Sequence, residues 1–472
     1  MIRTGVGAWM LALFAVSHPA DAAPASTAPP PTIVYDVTVA AQAAELHVQA
    51  TLPPGFADDL TLDRAALPFV ADVAAVADGD GDRWRPLAPR GRFWPAAGCQ
   101  ARGCRVRYRF RLADAAREID DVDTAAARAG VTVAPTTTWL LRPAGGPPGA
   151  RFRLNTHASE GWTFVSGLPR AATGDGYEAA LADDPVAPYA AFGALNAQRI
   201  AAGGGVVDVA LAADVAGGAV LPWLRDAALA IAAFYGRFPV PRLQVVVLPQ
   251  RAQMQGKELG GGGGASILLA PDADPAHGRN DWVATHEMVH VATPDLSREY
   301  LWMTEGLATY VEPIARARTG QLTAAGVWAD MLRGMPKGLL NERDRGMNGT
   351  RDWGRLYWGG AVFWLLADVE IRTNSDNRQS LETALRAVLA AGGNTTVAWP
   401  VEKFLDAGDA ALARPVLHPL FRKMGMRPMP VDLPALWRKL GVAAAAGGGV
   451  TFDARAPLAR VREAITAPSA RP

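Results

Sequence analysis

His286 and His290 stand four residues apart in THEMVH with Glu287 between them, and Glu305 follows in WMTEGLATY after fourteen further residues. Residues four apart share one face of a helix, so a helical THEMVH lets both imidazoles point at one atom. For Glu305 to reach the same atom, a second helix must return beside the first. Fourteen residues easily cross the roughly 10 Å between packed helices. The spacing therefore asks for two adjacent helices that turn polar groups toward each other.

Two imidazoles and a carboxylate, with a fourth position left open, are the protein ligands of a catalytic zinc. Glu287, one step round the helix, sits beside the shared atom, placed to hold a water rather than to ligate. The other nearby acids fit less well. Asp295 and Glu299 follow Pro294 in a turn leaving the first helix, and Glu312 lies two turns past Glu305, about 10 Å along the axis. Glu305 is the expected third ligand, with one Zn2+ per chain the expected cofactor. The competing reading is two helices whose polar residues satisfy each other.

Residues 1–22 combine Arg3, an apolar run and the small-residue pattern Ala20, Asp21, Ala22, which reads as a secretory signal peptide. Residues 23–32 form a Pro-rich linker. The expected location is therefore exported, periplasmic or secreted. In such a compartment Cys99 and Cys104, the only cysteines, are expected to form a local disulfide clipping a hairpin tip. No later segment holds eighteen uninterrupted apolar residues, so no membrane span is expected in the mature chain. A net charge of +1 supplies no field that selects nucleic acid.

The fold class reads as α+β. Residues 33–210 look β-rich: Leu46, Val48, Ala50 and Leu52 alternate along LHVQATL, and Val106, Tyr108, Phe110 and Leu112 alternate with Arg105, Arg107, Arg109 and Arg111. Such a row of arginines is what a sheet with one wet face produces. WLLRP and RFRLNTH extend the strand pattern. Residues 211–400 run helix, buried strand, Gly-rich turn, strand, helix, helix, and residues 401–472 read as mainly helical. Gly263, Gly264 and Ala265 open the strand ASILL, which is expected to pair with an extended substrate peptide. Glu258 in GKELG is read as a solvated loop charge.

HEMVH and WMTEGLATYVE resemble the HExxH and WxxEGxAxY stretches of the gluzincin metallopeptidases. YGRFPVPRLQVVVLP and LYWGGAVFWLLADVEIR are similar to segments of the aminopeptidase N and glycyl aminopeptidase families, so the likeness covers roughly residues 215–395. It implies a thermolysin-like catalytic domain that hydrolyses peptide bonds in peptide or protein substrates. It also implies zinc on His286, His290 and Glu305, Glu287 as general base, and Tyr357, matching the tyrosine of a YxKG sequence, as oxyanion stabiliser. Two features depart from the pattern. The connector is shorter than in aminopeptidase N relatives, and GGGGAS stands where their GxMEN carries a glutamate for the substrate's free amine. Glu258, just upstream, is the alternative carboxylate for that role, ranked behind its reading as a solvated loop charge. An aminopeptidase, an endopeptidase of the same fold and a zinc-binding envelope protein without turnover are all compatible with these residues, and the oligomeric state is not specified by them.

Overall fold

The computed structural model describes residues 29–181, 187–249, 256–271, 281–341 and 343–468. The expected signal peptide and residues 23–28 of the linker lie outside the described residues.

The N-terminal half is β-rich. Its largest sheet has seven strands: β1 (Thr32–Val39), β2 (Leu46–Leu52), β3 (Val70–Ala77), β4 (Arg85–Pro86), β5 (Cys104–Phe110), β6 (Arg151–Ala158) and β7 (Tyr177–Ala180), in the order β7-β6-β1-β2-β5-β3-β4. Val37 lies opposite Val48, and Val48 opposite Tyr108, so the alternating apolar residues of three strands meet on one face. That face shares a core with Trp139, Phe164 and Phe192.

The arginine row of β5 lies on the other face and is answered by the chain's own groups. Arg105 reaches Asp82 at 3.1 Å, Arg107 stacks on Trp84, and Arg109 is gripped by Glu45 at 2.9 Å and by Asp72. The strand stops at Phe110, because Arg111 caps a short helix, Leu112–Ile119, that buries Leu112. WLLRP is mostly not a strand: Trp139 ends a one-turn helix and only Arg142–Pro143 pairs. Cys99 and Cys104 form a disulfide with an S–S length of 2.04 Å. It joins a one-turn helix, Cys99–Arg102, to the first residue of β5 and does not clip a hairpin tip.

A five-stranded mixed sheet follows, beginning at Leu195 inside the stretch read as 33–210. Its strands are β8 (Leu195–Ala202), β9 (Gly205–Ala212), β10 (Arg242–Val247), β11 (Gly256–Gly261) and β12 (Gly264–Leu269), in the order β8-β9-β10-β12-β11. Helix α1 (Gly217–Tyr235) packs Leu224, Ala228, Ile231 and Phe234 into the core it shares with this sheet. Among the described residues α1 alone is long and apolar enough to cross a bilayer, and half of that stretch is buried in the protein.

Helices α2 (Val283–Val291), α3 (Leu301–Arg318), α4 (Gly360–Ser375) and α5 (Leu381–Ala390) share the core of this sheet, and Phe404, Leu417 and Ile465 from later helices join it. A buried ion network ties the helices together. Asp368 accepts from Tyr310 at 3.0 Å and from Arg372 at 2.8 Å, and Arg372 also holds Glu382 at 3.0 Å.

Gly306 of α3 meets Gly360 of α4 so closely that a Cβ on Gly306 would collide with the Gly360 backbone. This contact brings the start of α4 against the turn of α3 that carries Glu305. In an open helix, Gly→Ala gains about 1 kcal/mol. Here overpacking of about 1–3 kcal/mol opposes it. Gly306→Ala is therefore expected to lower the urea unfolding midpoint, and an unchanged or raised midpoint would show that the two backbones do not meet as described.

Candidate active site

α2 is buried on almost every side: Val283, Ala284, Met288, Val289 and Val291 are all inside. It forms through burial of its apolar residues, since no side chain caps its N-terminus. At its end Thr293 donates to the Val289 carbonyl at 3.0 Å, and Pro294 cannot continue the helix. α3 begins at Leu301, four residues before Glu305, so the acid sits in the second turn rather than opening the helix.

The structure brings His286, His290 and Glu305 together, with one donor atom from each within 4.8 Å of the others. Glu305 Oε2 lies 3.3 Å from His286 Nε2 and 3.5 Å from His290 Nε2. Ligands at about 2.05 Å from a tetrahedral zinc stand about 3.3 Å apart, so these atoms sit at the edges that such an ion would span. Two imidazole nitrogens and a carboxylate oxygen are also a donor set that suits zinc.

The electrostatics agree. Burial and the neighbouring imidazole hold His286 below its ordinary value despite Glu305. Burial acts against a charge on His290 too, but the carboxylates of Glu305, Glu287 and Glu258 raise it to about 9. Burial likewise opposes a charge on Glu305, and the two imidazoles overcome it, holding this carboxyl well below the usual carboxylate range.

Glu287 is buried beside this cluster, and burial pushes its carboxyl up to about 7. The backbone N–H of Glu258 donates to it. Tyr357 comes from a single π-helical turn, Arg355–Gly359, directly before α4. Its ring stacks on His286 at 5.9 Å and its hydroxyl hydrogen-bonds Glu305, while burial raises its pKa well above the tyrosine range. Trp353, two-thirds exposed, places its ring 5.7 Å from Tyr357 at the mouth of the site. Two of the other candidate acids are engaged elsewhere: Glu312 pairs with Arg316 at 2.8 Å and Glu299 bonds Tyr300. Asp295 is outside the three-residue cluster, with its backbone paired to Val397 and Trp399.

Gly263, Gly264 and Ala265 are not beside this cluster. Gly263 lies against Pro169, Gly264 against Gly167 and Pro188, and the Ala265 N–H donates to the Gly167 carbonyl at 3.1 Å. ASILL is an inner strand, paired with β10 on one side and β11 on the other, so no edge of it is left for a peptide. The sheet edge next to the site is β11.

On β11, Gly256, Glu258 and Gly260 face the helices, whereas Lys257 turns the other way to pair with Asp123, which also accepts from Tyr189 at 2.8 Å. A Cβ on Gly256 would lie 3.1 Å from Glu287 Oε1, so this glycine packs directly against the acid. Glu258 is no solvated loop charge. It accepts a hydrogen bond from Thr395, and burial raises its carboxyl to about 7 against the pull of Thr395 and His290. The signal for Glu258 in the sequence was its place just upstream of the glutamate-free GGGGAS, where it ranked second to a solvated loop charge. Thr395, 137 residues away, carried none.

No protein-family model and no curated protein matches the chain. Solved structures do. The fold is similar to an aminopeptidase N family protein from Idiomarina loihiensis, with a TM-score of 0.66 and 15% identity over 87% of this chain and 78% of that one. It is also similar to an M1 zinc metallopeptidase from Deinococcus radiodurans, with a TM-score of 0.53 and 16% identity over 86% of this chain and 95% of that one. A mutant of the latter, bound to a Tyr-Ser-Ala substrate, gives a TM-score of 0.54. The chain has the fold of these metallopeptidases. At such identities the likeness is one of architecture: a β-rich N-terminal part, a mixed sheet with the two site helices, and a helical C-terminal part.

If the cluster holds a metal, the purified chain takes up one equivalent of zinc. Glu305→Ala and His290→Ala are then expected to weaken zinc in chelator competition by a factor on the order of 100 or more, with Glu258→Gln still binding one equivalent. Equal zinc affinity in Glu305→Ala would remove this carboxylate from the ligand set.

Proposed function

We propose that the chain is an exported zinc-dependent metallopeptidase that removes residues from the N-terminus of peptides. The observation that carries the reading is the convergence of His286, His290 and Glu305 on one point, with Glu287 and the Tyr357 hydroxyl at its rim.

A zinc ion held by His286, His290 and Glu305 would supply Lewis-acid polarisation of the scissile carbonyl and the attacking water. Glu287, with a carboxyl that takes up a proton near neutral pH, removes the water's proton during attack and delivers it to the leaving amine. Tyr357 stays protonated in this setting and donates its hydroxyl hydrogen to the oxyanion as charge develops there. The outer edge of β11 offers backbone groups to an extended peptide.

Glu258 supports cleavage at the chain terminus. It sits on the strand that packs against the base: a Cβ on Gly256 would meet Glu287, and the Glu258 N–H donates to that acid. A half-buried carboxylate this near the base suits a free α-ammonium group. The disulfide supports export, since such bonds persist in oxidising compartments.

Three measurements test this reading. Glu287→Gln is expected to keep zinc and lose on the order of 1,000-fold or more in kcat, a loss in the range that acid–base roles and transition-state stabilisation supply together. Tyr357→Phe is expected to lower kcat by about 10²–10³ with KM little changed. Peptides with a free N-terminus are expected to be cut and their N-acetylated forms spared. Turnover retained in Glu287→Gln would sink the mechanism; equal cleavage of acetylated peptides would instead identify an endopeptidase, and zinc uptake without turnover a binding protein.

A further inference from the structure

We infer that Thr395 is a positioning residue for the substrate's terminal amine, acting by holding the Glu258 carboxylate in its receiving pose. The inference rests on the reading that Glu258 takes that amine.

Thr395 lies in the segment between α5 and the helix Val401–Asp409 and is 5% exposed. Its hydroxyl donates to Glu258 Oε1, and its backbone N–H donates to the Val291 carbonyl at the end of α2 at 3.2 Å. The same segment is stitched to the connector beyond α2. The Asp295 N–H donates to the Val397 carbonyl at 3.0 Å, and the Trp399 N–H donates to the Asp295 carbonyl at 2.9 Å. Thr395 is thus fixed by one backbone bond to the helix that carries both histidines, and its segment by two more to the connector that follows that helix.

β11 is shaped to admit it. A Cβ on Gly260 would collide with both the carbonyl and the hydroxyl oxygen of Thr395, so the strand must be bare there for the threonine to approach. Glu258 stands between Gly260 and Gly256 on the same face of the strand. Its carboxylate is therefore anchored from the Gly260 side, and among the described residues its second oxygen takes no hydrogen bond, which leaves it for an incoming donor. A carboxylate held by one charge-assisted hydrogen bond loses fewer rotamers on binding an ammonium than a free one does. The Thr395 hydroxyl contributes this order without touching the reacting atoms.

The test is a kinetic split. Thr395→Val is nearly isosteric and removes only the donor. It is expected to raise KM for free-amine peptides by about tenfold, with kcat within about threefold and zinc content unchanged, because uniform binding is what is lost. Thr395→Ser restores the hydroxyl and is expected to restore KM, and Thr395→Ala serves the same comparison if the valine variant fails to fold. Glu258→Gln, measured alongside, separates the two claims. If it raises KM while Thr395→Val or Thr395→Ala does not, the positioning role is overturned and the amine subsite stands. If neither changes KM, both fall. If serine and valine raise KM equally, the hydroxyl is not the cause and the inference is overturned.

Discussion

The carboxylate of Glu305 lies between two imidazoles in a pocket where burial acts against a charge on each of the three. Packing such groups together costs several kcal/mol per charge unless something of opposite sign compensates them. A divalent cation answers all three donors at once, and the surrounding structure arranges them for it. α2 supplies two donors from consecutive turns. The bare contact of Gly306 with Gly360 brings α4 against the third, and the π turn ahead of α4 delivers Tyr357 to the same point.

The part of this arrangement that was legible in the sequence is the part set by short-range periodicity. Residues four apart on a helix must share a face, so His286 and His290 announced themselves, and the fourteen-residue connector made Glu305 the natural partner. LHVQATL and the arginine-spaced strand were equally plain, because one wet face imposes strict alternation. Tyr357 was visible only through a family likeness, since an aromatic residue in an apolar helix has no pattern of its own.

Glu258 was legible only as a second choice, and Thr395 not at all. On the face of β11 that meets the site, two of three positions are glycine, so the alternation that marks a strand had almost no side chains to mark it. Thr395 reaches Glu258 across 137 residues, a contact decided by how helices and sheet pack and not by any local preference. The inner placement of ASILL was hidden similarly, because strand order is settled by long-range pairing. The glycine run makes the turn between β11 and β12, and the strand before it carries Glu258.

β11 is fastened from both ends of the chain. Lys257 is tied to Asp123 of the β-rich half, and Glu258 to Thr395, well downstream of both site helices. Neighbouring residues on one short strand therefore answer to regions that a domain diagram would draw as separate. The lip of the cleft is a seam, not a possession of one module. A chimera that keeps the zinc-type helices but exchanges either flanking region inherits the chemistry without the alignment of its edge. Exchanging either flank removes one of the two ties that hold this strand, while the helices that carry the histidines and Glu305 stay as they are.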